Sequence, residues 1–169
     1  MGLLEIKTYP SKVLKEKAEP VREIGKDIQK LIDDMIETMY AAPGIGLAAP
    51  QVGVPKRLIV IDVSLRDKEK PPLVVLINPE IINADGEIES EEGCLSLPDY
   101  TTTVRRAERV VARGLDRKGK SIEIEGQGLL SRALQHEIDH VNGVLLIDRI
   151  STIKREFFKK RYQKALTKS

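Results

Sequence analysis

Between residues 57 and 126 the chain offers six short runs of β-type sequence, flanked on both sides by helical periodicity. That order constrains the fold more than any other feature. The runs are RLIVIDV (57–63), LVVLINP (73–79), GEIESEE (86–92), TTVRR (102–106), RVVARGLD (109–116) and SIEIEG (121–126). Turn signals such as Asp85-Gly86 and Lys118-Gly119-Lys120 separate them, which predicts mostly antiparallel pairing. Before them, Ile24, Ile28, Leu31, Ile32, Met35, Ile36 and Met39 repeat at helical spacing and predict an amphipathic helix over 24–40. After them, 128–142 returns to that spacing. A last helix is predicted over about 151–167, with Phe158, Tyr162, Ala165 and Leu166 along one side. The stretch PGIGLAAPQVGVP (43–55) is rich in glycine and proline and reads as a loop. The predicted class is α+β: antiparallel strands packed around one central helix, with a helix at each end.

Length and charge narrow the function. A chain of 169 residues, 41% apolar and 32% charged, suits one domain over 1–169 with a buried core. No apolar run approaches the roughly 20 residues of a membrane-spanning helix. The start, MGLLEIKTYP, lacks the basic residues and apolar stretch of a secretory signal, and Ile6 stands where a myristoylation signal needs a hydroxyl. The expectation is a cytoplasmic protein that uses no membrane. The single cysteine, Cys94, excludes an internal disulfide and fits a reducing compartment. A net charge of +2 is too small for a general nucleic-acid binder, and no sequence-specific nucleic acid is expected as a partner. The basic residues gather in the tail TIKREFFKKRYQKALTKS, where Glu156 is the only acid. That tail reads first as the solvated face of a packed terminal helix.

The strongest chemical signal is HEIDH (136–140), which contains both histidines of the chain. At i and i+4 they share one helix face, so both imidazoles can reach one ion. Glu137, beside the first histidine, can handle the proton of a water held there without being a ligand itself. Leu129, Ala133 and His136 form a largely apolar helix face, so the helix is expected to be buried. Two histidines and a glutamate buried without partners would be costly, and a metal removes that cost. A catalytic site of this kind needs a third protein ligand. A histidine further along is excluded, because Leu146 occupies its place. A downstream acid, Asp148 or Glu156, remains open. So does Cys94, at the end of a predicted strand in EEGCLSLP, whose thiolate with two imidazoles would suit Zn2+ or Fe2+. In the loop GIGLAAPQVG (44–53), Gly44 and Gly46 can expose backbone to a peptide-like ligand, and Gln51 can supply an amide donor.

GIGLAAPQVG (44–53), EGCLSLP (92–98) and QHEIDH (135–140), in this order, resemble the three signature motifs of the peptide deformylases. These enzymes remove the N-formyl group from the N-terminal formylmethionine of nascent bacterial polypeptides. The resemblance implies a metal-dependent hydrolase acting on N-formylmethionyl peptides and releasing formate. It implies one ion per chain, held by Cys94, His136 and His140: Fe2+, with Zn2+, Ni2+ or Co2+ as substitutes. Glu137 would move the proton, and the Gln51 amide and the Leu95 backbone N–H would steady the oxyanion. Gly46 and the strand near Glu92 would pair with the substrate backbone, while Ile45, Leu129 and Ala133 would form a slot for the methionine side chain. The resemblance also adds a second reading of the basic tail, contact with the ribosome. Val141 replaces a usual leucine, Thr101 stands where several relatives carry arginine, and Arg132 stands where some carry an aliphatic residue. Arg132 is expected to point away from the slot.

Overall fold

Four consecutive apolar residues, LIVI at 58–61, cannot alternate between core and solvent, so a strand made from them needs cover on both faces. The computed structural model of the chain, which describes residues 2–64 and 73–167 with side chains as far as Lys164, supplies it. The elements run α1 (Lys26–Ala41), β1 (Gly46–Ala48), β2 (Leu58–Ile61), β3 (Val74–Asp85), β4 (Ile88–Cys94), β5 (Leu97–Arg106), β6 (Arg109–Leu115), β7 (Ser121–Gln127), α2 (Leu129–Val141) and α3 (Thr152–Thr167). Strands β1-β2-β3-β6-β7 form one sheet in that order, and β4-β5 form a separate hairpin; every strand pair is antiparallel. Ile59 and Ile61 of β2 pack with Leu130, Leu134, Ile138 and Val141 of α2. Leu58 and Val60 pack on the other face with Ile32, Met35 and Met39 of α1. The same alternation carries Val74 and Leu76 of β3 toward α2 and Val75 and Ile77 toward α1. The sheet is thus filled between two helices.

The α+β class with antiparallel strands and three helices agrees with the sequence-based expectation. Three boundaries differ for physical reasons. Part of the predicted loop is strand: Gly46, Leu47 and Ala48 pair with Ile61, Val60 and Ile59, and so satisfy the outer edge of β2. Strand β3 continues past the predicted end at 79 to Asp85, its register with β6 shifting between Ile77 and Glu80 and again between Ile81 and Asn83. Asn78 takes a left-handed φ of 55° there, and its side chain bonds both backbone groups of Val21. Strand β5 starts at Leu97, five residues before the predicted run, because a turn of only two residues, Leu95-Ser96, closes the hairpin beyond Cys94. Three residues of β5, 98–100, bulge between the partners of Gly93 and Cys94.

α3 packs through Phe158, which is buried, and Tyr162, whose hydroxyl donates to the Tyr9 carbonyl at 2.6 Å. The side chains of Ala165 and Leu166, predicted on the same side, lie outside the described residues.

Candidate active site

β4 runs beside α2, and two periodicities meet there. Two residues of strand advance by nearly the length of four residues of helix, so alternate β4 side chains match every fourth α2 side chain. Three contacts follow. Ser90 Oγ accepts from Arg132 at 2.8 Å, Glu92 Oε1 lies 3.2 Å from His136 Nδ1, and Cys94 Sγ lies 3.3 Å from His140 Nε2. The Nε2 atoms of His136 and His140 face each other at 3.3 Å. Ligand atoms of Cys94, His136 and His140 lie within 4.8 Å of one another, the one such group of three among the described residues. Asp148 and Glu156 are elsewhere: Asp148 bonds Lys15 and the Leu145 N–H, and Glu156 faces Lys159.

The surroundings of these three residues are ionic. The Arg106 guanidinium is 3% exposed and grips both oxygens of Glu92, at 3.0 and 2.9 Å, and Asp139 at 2.7 Å. Burial alone would raise the Glu92 carboxyl, but His136 and Arg106 hold it down at about 2. Burial disfavours a charged imidazole at His136, yet Cys94, Glu92 and Glu137 together raise it well above the ordinary range. His140 is held well below that range by burial and by its neighbours His136 and Arg106. Nδ1 of His136 faces the Glu92 carboxylate, which leaves its Nε2 facing His140, the nitrogen a neutral ring would offer to an ion. The donor set of one thiol and two imidazoles fits a borderline divalent ion.

Glu137 is buried at the base of the cleft, and burial pushes its carboxyl up to about 7 against the pull of His136 and Arg106. Its Oε1 and the Nδ1 of His140 have no hydrogen-bond partner among the described residues, and of the two only Glu137 lines the cleft, where an incoming polar group can relieve the cost. Gly46 is required beside it: a Cβ there would stand 2.6 Å from Glu137 Oε2. Gln51, 1% exposed, accepts from the Ala48 N–H through Oε1 at 3.0 Å. That bond turns Nε2, the donor, toward Ser96 Oγ at 3.2 Å and Cys94 Sγ at 3.7 Å.

The cleft, about 390 Å3, lies between the β1 and β4 edges, with Gly46 on one side and Glu91, Glu92 and Gly93 on the other. Ile45, Leu95, Leu129, Ala133, His136 and Glu137 also line it, so the structure gathers the sequence-predicted residues in one place; only His140 of the set lies behind its wall. Leu129 and Ala133 also pack into the core against the sheet, so they serve both purposes. Thr101 and Arg132 line the cleft as well. Arg132, one helical turn before His136, shares its face and directs its guanidinium to Ser90 Oγ of β4. Arg106, Asp139 and Arg149 were missed by sequence reasoning. The available signal was phase, since Val104 and Arg106 share the inward side of β5, where a charge must find a partner.

Fold and site first define a class: an α+β protein with a Cys/His cluster suited to a catalytic metal. The polypeptide deformylase family model matches residues 3–156. Peptide deformylase of Thermodesulfovibrio yellowstonii is 66% identical over 163 residues, covering 96% of this chain and 98% of that one. The Syntrophobacter fumaroxidans peptide deformylase is 54% identical, with 98% and 97% covered. Among solved structures, a Legionella pneumophila peptide deformylase superposes with a TM-score of 0.88 at 45% identity, covering 99% of each chain. An Ehrlichia chaffeensis peptide deformylase in complex with actinonin gives 0.90 at 40% identity, covering 98% of each. The chain belongs to the polypeptide deformylase family. It is an enzyme that hydrolyses the N-formyl group from the N-terminal formylmethionine of nascent polypeptides.

Proposed function

We propose that Cys94 Sγ, His136 Nε2 and His140 Nε2 hold one divalent ion per chain, Fe2+ in the cell, with Zn2+, Ni2+ or Co2+ able to replace it. The observation that carries this is the approach of the three residues' ligand atoms to within 4.8 Å of one another where β4 meets α2. When bound, the ion supplies Lewis acidity to water and to the formyl carbonyl. Glu137, with its raised carboxyl and a free oxygen, takes the proton of the attacking water and returns it to the departing amine. The Gln51 amide, oriented by Ala48, and the Leu95 N–H donate to the oxygen that gains charge as the formyl carbon becomes tetrahedral. The substrate enters as an added strand between Gly46 of β1 and the β4 edge around Glu92. Its methionine side chain fills the slot of Ile45, Leu129 and Ala133.

The whole chain works as one catalytic domain in the cytoplasm; among the described residues no helix is long and apolar enough to cross a membrane. α3 presents Lys154, Lys160 and Arg161 outward, with Ile153 and Phe157 exposed beside them. Solvation accounts for that face first, and ribosome contact is the reading that charge reversal at these three positions would test by co-sedimentation.

Cys94→Ala tests the ligand assignment. The variant, prepared without oxygen, is expected to lose most of its metal and to release no formate from a formyl-Met peptide. Full metal content in that variant would rule out Cys94 as the third ligand.

A further inference from the structure

His136 is tied to the protein surface by an alternating row of charges. His136 Nδ1 faces Glu92, Glu92 is gripped by Arg106, Arg106 reaches Asp139, and Asp139 is gripped in turn by Arg149. The last pair is a fork: Arg149 Nε donates to Asp139 Oδ2 at 3.0 Å and Nη2 donates to Oδ1 at 2.6 Å. Glu92, Arg106 and Asp139 are all nearly buried, while the Arg149 side chain is 47% exposed. Within the buried part, one guanidinium serves two carboxylates. Without a second cation at Asp139, Arg106 would be drawn between two negative charges in a low-dielectric setting.

We propose that Arg149 is a positioning residue for the metal site, neutralising Asp139 so that Arg106 stays on Glu92 and Glu92 keeps His136 oriented. The inference rests on the assignment of His136 as a ligand. Arg149 suits the task because its own position is rigid. It closes the short helical turn Leu146–Arg149, whose Leu146 and Ile147 are buried with Leu97, Val104 and Phe158. It is also remote from substrate, lining a separate polar cavity of about 650 Å3 and not the cleft. Asp139 lies between the site and the surface, so the effect must pass through its carboxylate.

The test follows metal release from the fully loaded enzyme into excess chelator, with global unfolding and steady-state kinetics measured on the same samples. Arg149→Met is expected to release the metal several-fold faster, a smaller effect than the roughly tenfold or greater loss of affinity that follows removal of a direct partner of a ligating histidine. KM for a formyl-Met peptide should be unchanged, since Arg149 does not line the cleft. Arg149→Lys, which keeps the charge, should restore most of the retention. In an Asp139→Asn background, Arg149→Met should add nothing further. Arg113→Met, which breaks an exposed pair with Glu80, serves as the control for surface damage. Wild-type release from Arg149→Met, or release raised only as far as in the control, would overturn the proposal. So would an undiminished effect in the Asp139→Asn background, or no rescue by lysine. Failure of the ligand assignment looks different: Cys94→Ala would then keep its metal whatever the Arg149 variants do.

Discussion

Helix α2 meets its two neighbours through opposite chemistry. Toward the five-stranded sheet it presents Leu130, Leu134, Ile138 and Val141, all buried among apolar side chains. Toward the β4–β5 hairpin it presents Arg132, His136, Asp139 and His140, each at hydrogen-bonding or close polar distance from Ser90, Glu92, Arg106 or Cys94. Apolar contact is non-directional and scales with area, so the first side sets how firmly the helix is held. Polar contact is directional, so the second side sets where ligand atoms point. The helix is anchored by one face and aimed by the other.

The comparison predicts that damage to the two faces separates in kind. Arg106→Met strikes the polar side hardest, leaving Glu92 and Asp139 buried without their shared cation. A loss of about 4 kcal/mol in urea unfolding is expected, with impaired metal retention in the molecules that remain folded. Leu134→Ala strikes the apolar side. It should cost about 3 kcal/mol in the same measurement, while the folded, loaded enzyme keeps its metal and its kcat. Equal loss of metal in both variants would erase the distinction. Gly46→Ala sharpens it on the third side of Glu137, where the new methyl must displace the carboxylate. A stability loss of about 2 kcal/mol is expected from the overpacking, and formate release should fall far more than stability does.

Asp148→Asn, outside both faces, gives the smallest effect. Burial would raise the Asp148 carboxyl, but Lys15 and the Leu145 N–H hold it below its ordinary value. A depressed folded pKa contributes stability above the unfolded value and loses it as pH falls through the folded one. The deficit of the variant should therefore be about 1 kcal/mol at pH 7, begin to shrink below about pH 4, and disappear only once the pH falls beneath the depressed folded value. A deficit constant from pH 7 to pH 3 would mean the carboxylate charge is not what holds the turn.

Local regularities carried the parts that could be read in advance. The i, i+4 spacing of HEIDH needs nothing beyond one helix, so two ligand candidates and Glu137 were visible at once. Helical and two-residue periodicities also marked α1, α2, α3 and most strands, because those patterns record which side of an element is buried. β1 was hidden because its residues, Gly46, Leu47 and Ala48, have no strand-like pattern. Only the exposed edge of β2 makes them a strand. Arg106, Asp139 and Arg149 were hidden because three charges separated by 33 and 10 residues carry no local period.

What the chain determined by itself was the set of chemical groups: two imidazoles one turn apart, a neighbouring carboxylate, one thiol and a Gly-rich stretch with an amide. Which group became the third partner of the histidines was decided in three dimensions. Cys94 is 46 residues from His140 and meets it only because β4 runs in step with α2, two strand residues to four helix residues. That match depends on the sheet and the hairpin holding α2 from both sides, and no segment of sequence contains it.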